Sequence, residues 1–298
     1  MKPEWLSITP SKNKRNYDSV KETVESLGLH TVCLEARCPN ISECWSQKTA
    51  TFMVMGDICT RGCRFCAVSS SMGGSRLDAS EPAKLAEAVK SWGLEYVVIT
   101  TVCRDDLYDQ GAGHFSKCVK EVRRLNPNTI VEVLIPDFQG EDKLLEEVVE
   151  SGAAVVGHNL ETVERLTPSV RDGRASYALS LKVLARIKEL GRGIYTKSAF
   201  MLGLGENREE ITAILKDLRM AGVDFLAVGQ YLRPSGRQLE VAEYVNPSVF
   251  ESVREEALRM GFLYVAAGPF VRSSYKAGEY FVLNGIKAGS LSAEVPRL

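Results

Sequence analysis

Six of the eight cysteines fall into two triplets: Cys33, Cys38 and Cys44, spaced C-x4-C-x5-C, and Cys59, Cys63 and Cys66, spaced C-x3-C-x2-C. Thiolates are soft ligands, and three of them at short spacing can hold a cubane iron–sulfur cluster with one iron left without a cysteine. That iron is where chemistry can happen. With eight cysteines in 298 residues, any one fixed triplet spacing is expected by chance about 0.006 times, so two triplets are not an accident of composition. Disulfides are a poor alternative, because the chain starts with charges and prolines rather than an apolar secretory leader, and its length needs no covalent staples. Zinc competes, since C-x2-C is a common half-site. However, Cys59, Cys63 and Cys66 sit in one tight loop with no second C-x2-C or H-x3-H downstream.

Ligands need a scaffold. Six apolar, β-branched runs read as strands: 51–57, 96–101, 129–135, 154–160, 194–202 and 224–230. Amphipathic stretches at 81–93, 143–152 and 208–222 lie between them. Repeated βα units predict an α/β fold with parallel strands, and six of them suggest a partial (β/α)6 TIM-type barrel, open on one side. Residues 1–50 then form an N-terminal extension, 51–232 the barrel and 233–298 a C-terminal extension, together one integrated unit.

The second triplet directly follows the first strand, at the end where barrel chemistry sits. Other strand ends on that side offer polar groups for a cofactor: His158, Asn159 and Glu161 after the fourth strand, Lys197 in the fifth, and GQYLRPS at 229–235 after the sixth. Each has a bland alternative. Glu161 could be the acidic start of a helix, and Lys197 could pair with a barrel acid. The loop MLGLGE at 201–206 could admit close backbone approach. Arg171 and Arg174 are candidates for docking a partner, with a merely solvated surface as the preferred reading. A net charge of −1 and a pI near 6.4 point to neither nucleic acid nor membrane, and the expected location is cytoplasmic.

C-x3-C-x-aromatic-C, with Phe65 in the aromatic slot, resembles the signature of the radical S-adenosylmethionine superfamily. That resemblance implies a [4Fe–4S] cluster on Cys59, Cys63 and Cys66, whose fourth iron is chelated by S-adenosylmethionine, and cleavage of that cofactor to a 5′-deoxyadenosyl radical. Phe65, Asn159, Glu161 and Lys197 are then the expected cofactor contacts. A second resemblance runs nearly end to end: CPNISECW at 38–45, RDDL at 104–107, GAGHF at 111–115, HNLETV at 158–163 and GPFVRSSY at 268–275 are similar to the lipoyl synthase family. It implies that Cys33, Cys38 and Cys44 hold an auxiliary [4Fe–4S] cluster with Ser274 as its fourth ligand and that this cluster donates two sulfurs, to carbons 6 and 8 of a protein-bound octanoyl-lysine. Implied partners are octanoylated lipoyl carrier domains, as in 2-oxoacid dehydrogenase E2 subunits and the glycine-cleavage H protein. An electron donor such as ferredoxin or flavodoxin and a cluster-repair carrier are implied as well.

The pattern departs from the family at Cys103, where aspartate is common, at Ala199, where glycine is usual, and in QLEV at 238–241. Cys103 reads as a non-ligand thiol and Cys118 as helix core. Biotin synthase is the neighbouring enzyme reading, although its auxiliary cluster lies within the barrel. A two-cluster electron carrier is the non-catalytic one.

Overall fold

The structure, a computed structural model, describes residues 3–7, 14–191, 193–274 and 285; Tyr275, which ends the RSSY motif, lies outside them. All six expected strands form: β1 (Thr51–Val54), β2 (Tyr96–Thr101), β3 (Ile130–Leu134), β4 (Val155–Gly157), β5 (Tyr195–Leu202) and β6 (Phe225–Gln230). A seventh, β7 (Tyr264–Gly268), was not expected from the sequence and pairs parallel to β6. The strands lie side by side in chain order, and a two-residue strand, His30–Thr31, adds antiparallel to the outer edge of β1. The sheet is thus a barrel arc of seven parallel strands, one βα step longer than six.

Helices α1 (Lys14–Leu27), α2 (Glu81–Trp92), α3 (Ala112–Leu125), α4 (Asp142–Val149), α5 (Tyr177–Leu190), α6 (Arg208–Met220) and α7 (Pro247–Arg259) pack outside the sheet. Their apolar spacing decides which face turns inward. In α3, Phe115, Cys118, Val119 and Val122 form one buried stripe, and each such side chain contributes about 1.5–3 kcal/mol when removed from water. Cys118 is core, as expected. A capping box between Asn207 and Glu210 starts α6, satisfying two end groups that the helix itself cannot.

Inside the arc, the lower end is filled by Tyr96, Val98, Val155 and Phe225, with Ile130, Tyr195 and Tyr264 packed against them. Higher up, Ala199, Ala227 and Ala266 replace these large rings. Small side chains toward the C-terminal ends of the strands leave room there for a chamber.

The end segments close over that room. Val20 and Val24 of α1 and Trp45 join the same core as Leu85 and Val89 of α2. From the other end, the chain after β7 crosses the top of β6 so closely that a Cβ on Gly229 would lie 2.1 Å from the Val271 carbonyl. Asn40 Nδ2 donates to the Phe270 carbonyl at 2.7 Å, linking the two segments.

Candidate active site

The Cys59–Cys66 loop is set by what precedes it. Past β1 the chain turns through Met55, whose φ of 70° is unfavourable for a residue with a side chain. The buried Glu81 carboxylate holds this turn: it accepts the Met55 N–H at 3.2 and 3.0 Å and is fixed in turn by His114 Nε2 at 2.6 Å. Cys118 lies within 4.8 Å of both side chains, but Glu81 already has its partners, so the trio reads as a brace.

Arg61 then fastens the loop to neighbouring strand ends. Its guanidinium reaches Asp105 at 2.7 Å and Asp137 at 2.6 Å, with almost no solvent access to any of the three groups. Burial alone would lower the arginine pKa; the two carboxylates reverse that and keep the cation charged. Peptide N–H groups point at the sulfurs. Arg61 N and Cys103 N donate to Cys59 Sγ at 3.4 and 3.3 Å, and Asp172 N donates to Cys63 Sγ at 3.3 Å. The neighbouring Cys103 side chain lowers the Cys59 pKa, while Cys59 and burial raise that of Cys103, so Cys59 is the more acidic of the pair. Burial pushes the Cys66 thiol up to about 12 and raises Cys63 as well. Gln238 Nε2 and Leu239 N donate to the carbonyls of Cys66 and Arg64, both at 3.1 Å, binding the loop to the 233–241 segment.

The other triplet stands on two short helical turns, Val32–Glu35 and Ile41–Ser46. Thr31 Oγ1 caps the first by accepting Leu34 N at 3.3 Å. Cys38 N donates to the Cys33 carbonyl and Cys44 N to the Asn40 carbonyl, both at 3.0 Å. Burial pushes the Cys33 thiol up to about 11. The indole N–H of Trp45, fully buried and without an oxygen or nitrogen acceptor, lies against that thiol. Burial lowers the Arg272 pKa, while the neighbouring Cys38 opposes the shift.

One cavity of about 560 Å³ joins the two sets: all six cysteines line it, and so does Ser274. Phe65, Asn159 and Glu161 line it too. Asn159 Nδ2 donates to Glu161 Oε1 at 3.0 Å, and Glu161 sits at φ 69° rather than starting a helix. Burial raises its pKa, opposed by Arg171 and Asn159.

Lys197 departs from expectation. Its Nζ points to Glu132 at 2.7 and 2.9 Å, below the cavity, so the barrel-acid alternative is the one realised. Arg171 departs as well. Far from being a surface docking residue it is 8% exposed, and it lines the cavity. Its Nη1 donates to Ser180 Oγ at 2.8 Å, Ser180 meets His158 Nε2 at 2.9 Å, and His158 Nδ1 reaches the Ile135 carbonyl at 2.9 Å. This chain of donors requires the neutral Nδ1–H tautomer. Arg174 is half-exposed and pairs with Asp172 at 2.8 Å. The MLGLGE loop closes on its own chain: at Gly203 an added Cβ would lie 2.5 Å from the Glu243 carbonyl. Within GQYLRPS, Gln230 is committed to the backbone of Tyr231, Glu243 and Val245.

These donor sets suit the expected groups. Three thiols with aimed peptide N–H groups match a thiolate-held cluster, and the orphan Trp45 N–H beside Cys33 matches a second. Sequence reading missed the Arg61 clamp, the Arg171 relay and the Trp45 contact. The only hint of the first was RDDL, which contains Asp105.

Residues 53–218 match the Radical SAM superfamily. The chain is 52% identical over 291 residues to "Lipoyl synthase, mitochondrial" of Phytophthora infestans (strain T30-4), covering 96% of this chain and 76% of that protein. It is likewise 52% identical over 290 residues to the protein of the same name from Saccharomyces cerevisiae (strain YJM789), covering 96% and 70%. Among solved structures, methylornithine synthase superposes with a TM-score of 0.55 at 15% identity over 87% of this chain and 79% of its own. The FeFe-hydrogenase maturase HydG from Carboxydothermus hydrogenoformans superposes with a TM-score of 0.52 at 12% identity, covering 96% and 73%. Both share the fold. No helix among the described residues is long and apolar enough to cross a membrane. With the partial barrel and the cysteine-lined chamber, these likenesses show that the chain belongs to the radical SAM superfamily and, within it, to the lipoyl synthase family.

Proposed function

We propose that the chain inserts sulfur at carbons 6 and 8 of an octanoyl group carried on a lysine, with Cys59, Cys63 and Cys66 holding the cluster that binds S-adenosylmethionine. Cys33, Cys38, Cys44 and Ser274 hold a second cluster as sulfur source. When bound, these groups supply a carbon-centred radical and the sulfide that meets it, chemistry no side-chain base can perform on an unactivated C–H bond. The observation that carries the reading is the single chamber: both cysteine sets and Ser274 face one cavity, which an electron carrier with two separate clusters has no need of.

The protein's own residues bind, orient and exclude water. Phe65, Asn159 and Glu161 edge the side nearest the Cys59 loop and offer an aromatic face, an amide and a carboxylate to a nucleoside and an α-amino acid group. Val32, Met53, Leu134 and Ala227 give the wall an aliphatic lining suited to an acyl chain. Ser274 supplies an oxygen, a harder and poorer match to cluster iron than a thiolate. The partners proposed are octanoylated carrier domains of E2 subunits and the glycine-cleavage H protein, a ferredoxin or flavodoxin as electron donor, and a cluster-repair carrier. Thiolate ligands call for a reducing compartment, the cytoplasm on the sequence reading or the mitochondrial setting in the relatives' names.

The test is anaerobic reconstitution with iron and sulfide, followed by reductant, S-adenosylmethionine and an octanoyl-lysine carrier peptide, with peptide mass and 5′-deoxyadenosine followed together. Two added sulfurs are expected. Deoxyadenosine without sulfur addition would point to another substrate, and neither product from protein holding both clusters would favour electron transfer.

A further inference from the structure

Two arginines stand where the chamber meets solvent. Of the described residues that line the cavity, only Arg37 and Arg233 are exposed. Arg37 ends the first helical turn of the N-terminal extension, and Arg233 follows β6. The acids of the lining lie deeper: Asp137 is buried against Arg61, and Glu161 is bonded to Asn159. Arg37 sits at φ 51° and donates its N–H to the Leu34 carbonyl at 3.0 Å, a left-handed position that ordinarily falls to Gly or Asn. Its guanidinium has neither an acid nor another acceptor among the described residues, and the nearby Glu35 carboxylate turns to His30 at 3.7 Å. Arg233 is aimed by backbone: Nε donates to the Gln238 carbonyl at 2.9 Å and Nη2 to the Gly236 carbonyl at 2.7 Å. Its acid contact, Glu240 at 3.2 Å, is 86% exposed and does not line the cavity, so solvent weakens that pair.

We propose that Arg37 and Arg233 form a cationic doorway that docks a folded carrier domain through carboxylates flanking its acylated lysine. The inference rests on the carrier-borne substrate proposed above. The acyl-lysine is a neutral amide, so only its neighbours on the carrier surface can answer positive charge at the door. The formal net charge of the whole chain is −1, which makes this charge a local feature of the mouth rather than a general field. A guanidinium meets a carboxylate with two parallel N–H donors, and complementary charge at a rim speeds encounter and fixes orientation.

The experiment measures binding of an octanoylated E2 carrier domain to the reconstituted full-length protein at low and high salt, alongside kcat/KM for that domain and for a short octanoyl-lysine peptide without acidic residues. Arg37→Glu and Arg233→Glu should each weaken carrier binding about tenfold at low salt, much less at high salt, and lower the ratio of carrier to peptide kcat/KM. Arg37→Lys keeps the charge and should stay near wild type. The reciprocal change, amides in place of the carboxylates beside the carrier's modified lysine, should weaken binding to the same extent with the enzyme untouched. Carrier binding that neither set of changes moves overturns the proposal, and so does an equal loss for carrier and peptide, which would indicate disturbed packing. Sulfur insertion into both substrates with a carrier affinity indifferent to charge sinks the doorway alone, whereas a wild-type protein that neither binds the carrier nor modifies the peptide overturns the proposed function with it.

Discussion

The two cysteine triplets face the same chamber but are held in opposite ways. The 59–66 loop hangs from the barrel: its sulfurs receive three peptide N–H donors, its arginine is buried between two strand-end carboxylates, and its entry turn is braced by Glu81 and His114. The 33–44 set stands on two short turns joined to the sheet through a two-residue strand, and it meets the C-terminal segment bearing Ser274 through the Asn40–Phe270 bond. On the function proposed above, the centre that survives each reaction cycle is built into rigid elements, and the one that gives up its sulfide is shared between two chain segments.

The sharpest way to break this comparison is to remove one ligand from each side. Cys59→Ala should abolish both deoxyadenosine and sulfur-containing product. Cys33→Ala should abolish the product but leave deoxyadenosine, measured by chromatography under reducing conditions; loss of both in Cys33→Ala would mean that the two sites are not separable. Ser274→Cys comes next. A thiolate should hold iron more firmly there, so less iron is released to a chelator and sulfur insertion falls severalfold; full retention of insertion would show that the serine is not the weak point.

Arg61→Leu takes the paired cation from buried Asp137 and the nearer of two from Asp105. It should cost about 3–5 kcal/mol of stability by denaturant titration, with iron lost first from the 59–66 site.

The barrel side should also be the acid-sensitive one. Burial, with Arg171 adding to it, lowers the His158 pKa from 6.5 to about 4. The unfolded chain therefore takes up a proton that the folded one refuses. Stability on this account is complete above pH 6.5 and falls by up to about 3 kcal/mol between pH 6.5 and 4; His158→Gln should flatten that part of the profile. Asn40→Ala should have the smallest effect, about 1 kcal/mol, seen as looser iron at the 33–44 site with unchanged iron at the other.

Spacing made the ligands readable, because three cysteines within a few residues can reach one ion group whatever the fold. Strands β1 to β6 were readable for a related reason: strands buried on both faces are written as continuous apolar runs. β7 escaped because its sequence, YVAAG, gives up branched side chains for the small ones the chamber requires. The ionic clamp escaped because Asp105 and Asp137 are 44 and 76 residues from Arg61. Lys197 and Arg171 could not be sorted from the sequence either. Lys197 lies inside β5 and turns to Glu132 of β3, whereas Arg171 follows the short helix Thr167–Val170 and reaches the cavity wall, a placement that depends on tertiary packing rather than on local pattern.

The packed side chains at the lower end of the barrel give the chamber a floor. Tyr96, Val155 and Phe225 stop it, and the Glu132–Lys197 pair lies beneath the cavity as well. Anything that enters toward this floor must return the way it came. A flexible arm still tied to its carrier can do so, keeping its tip at the end wall for two successive events without ever being released and recaptured.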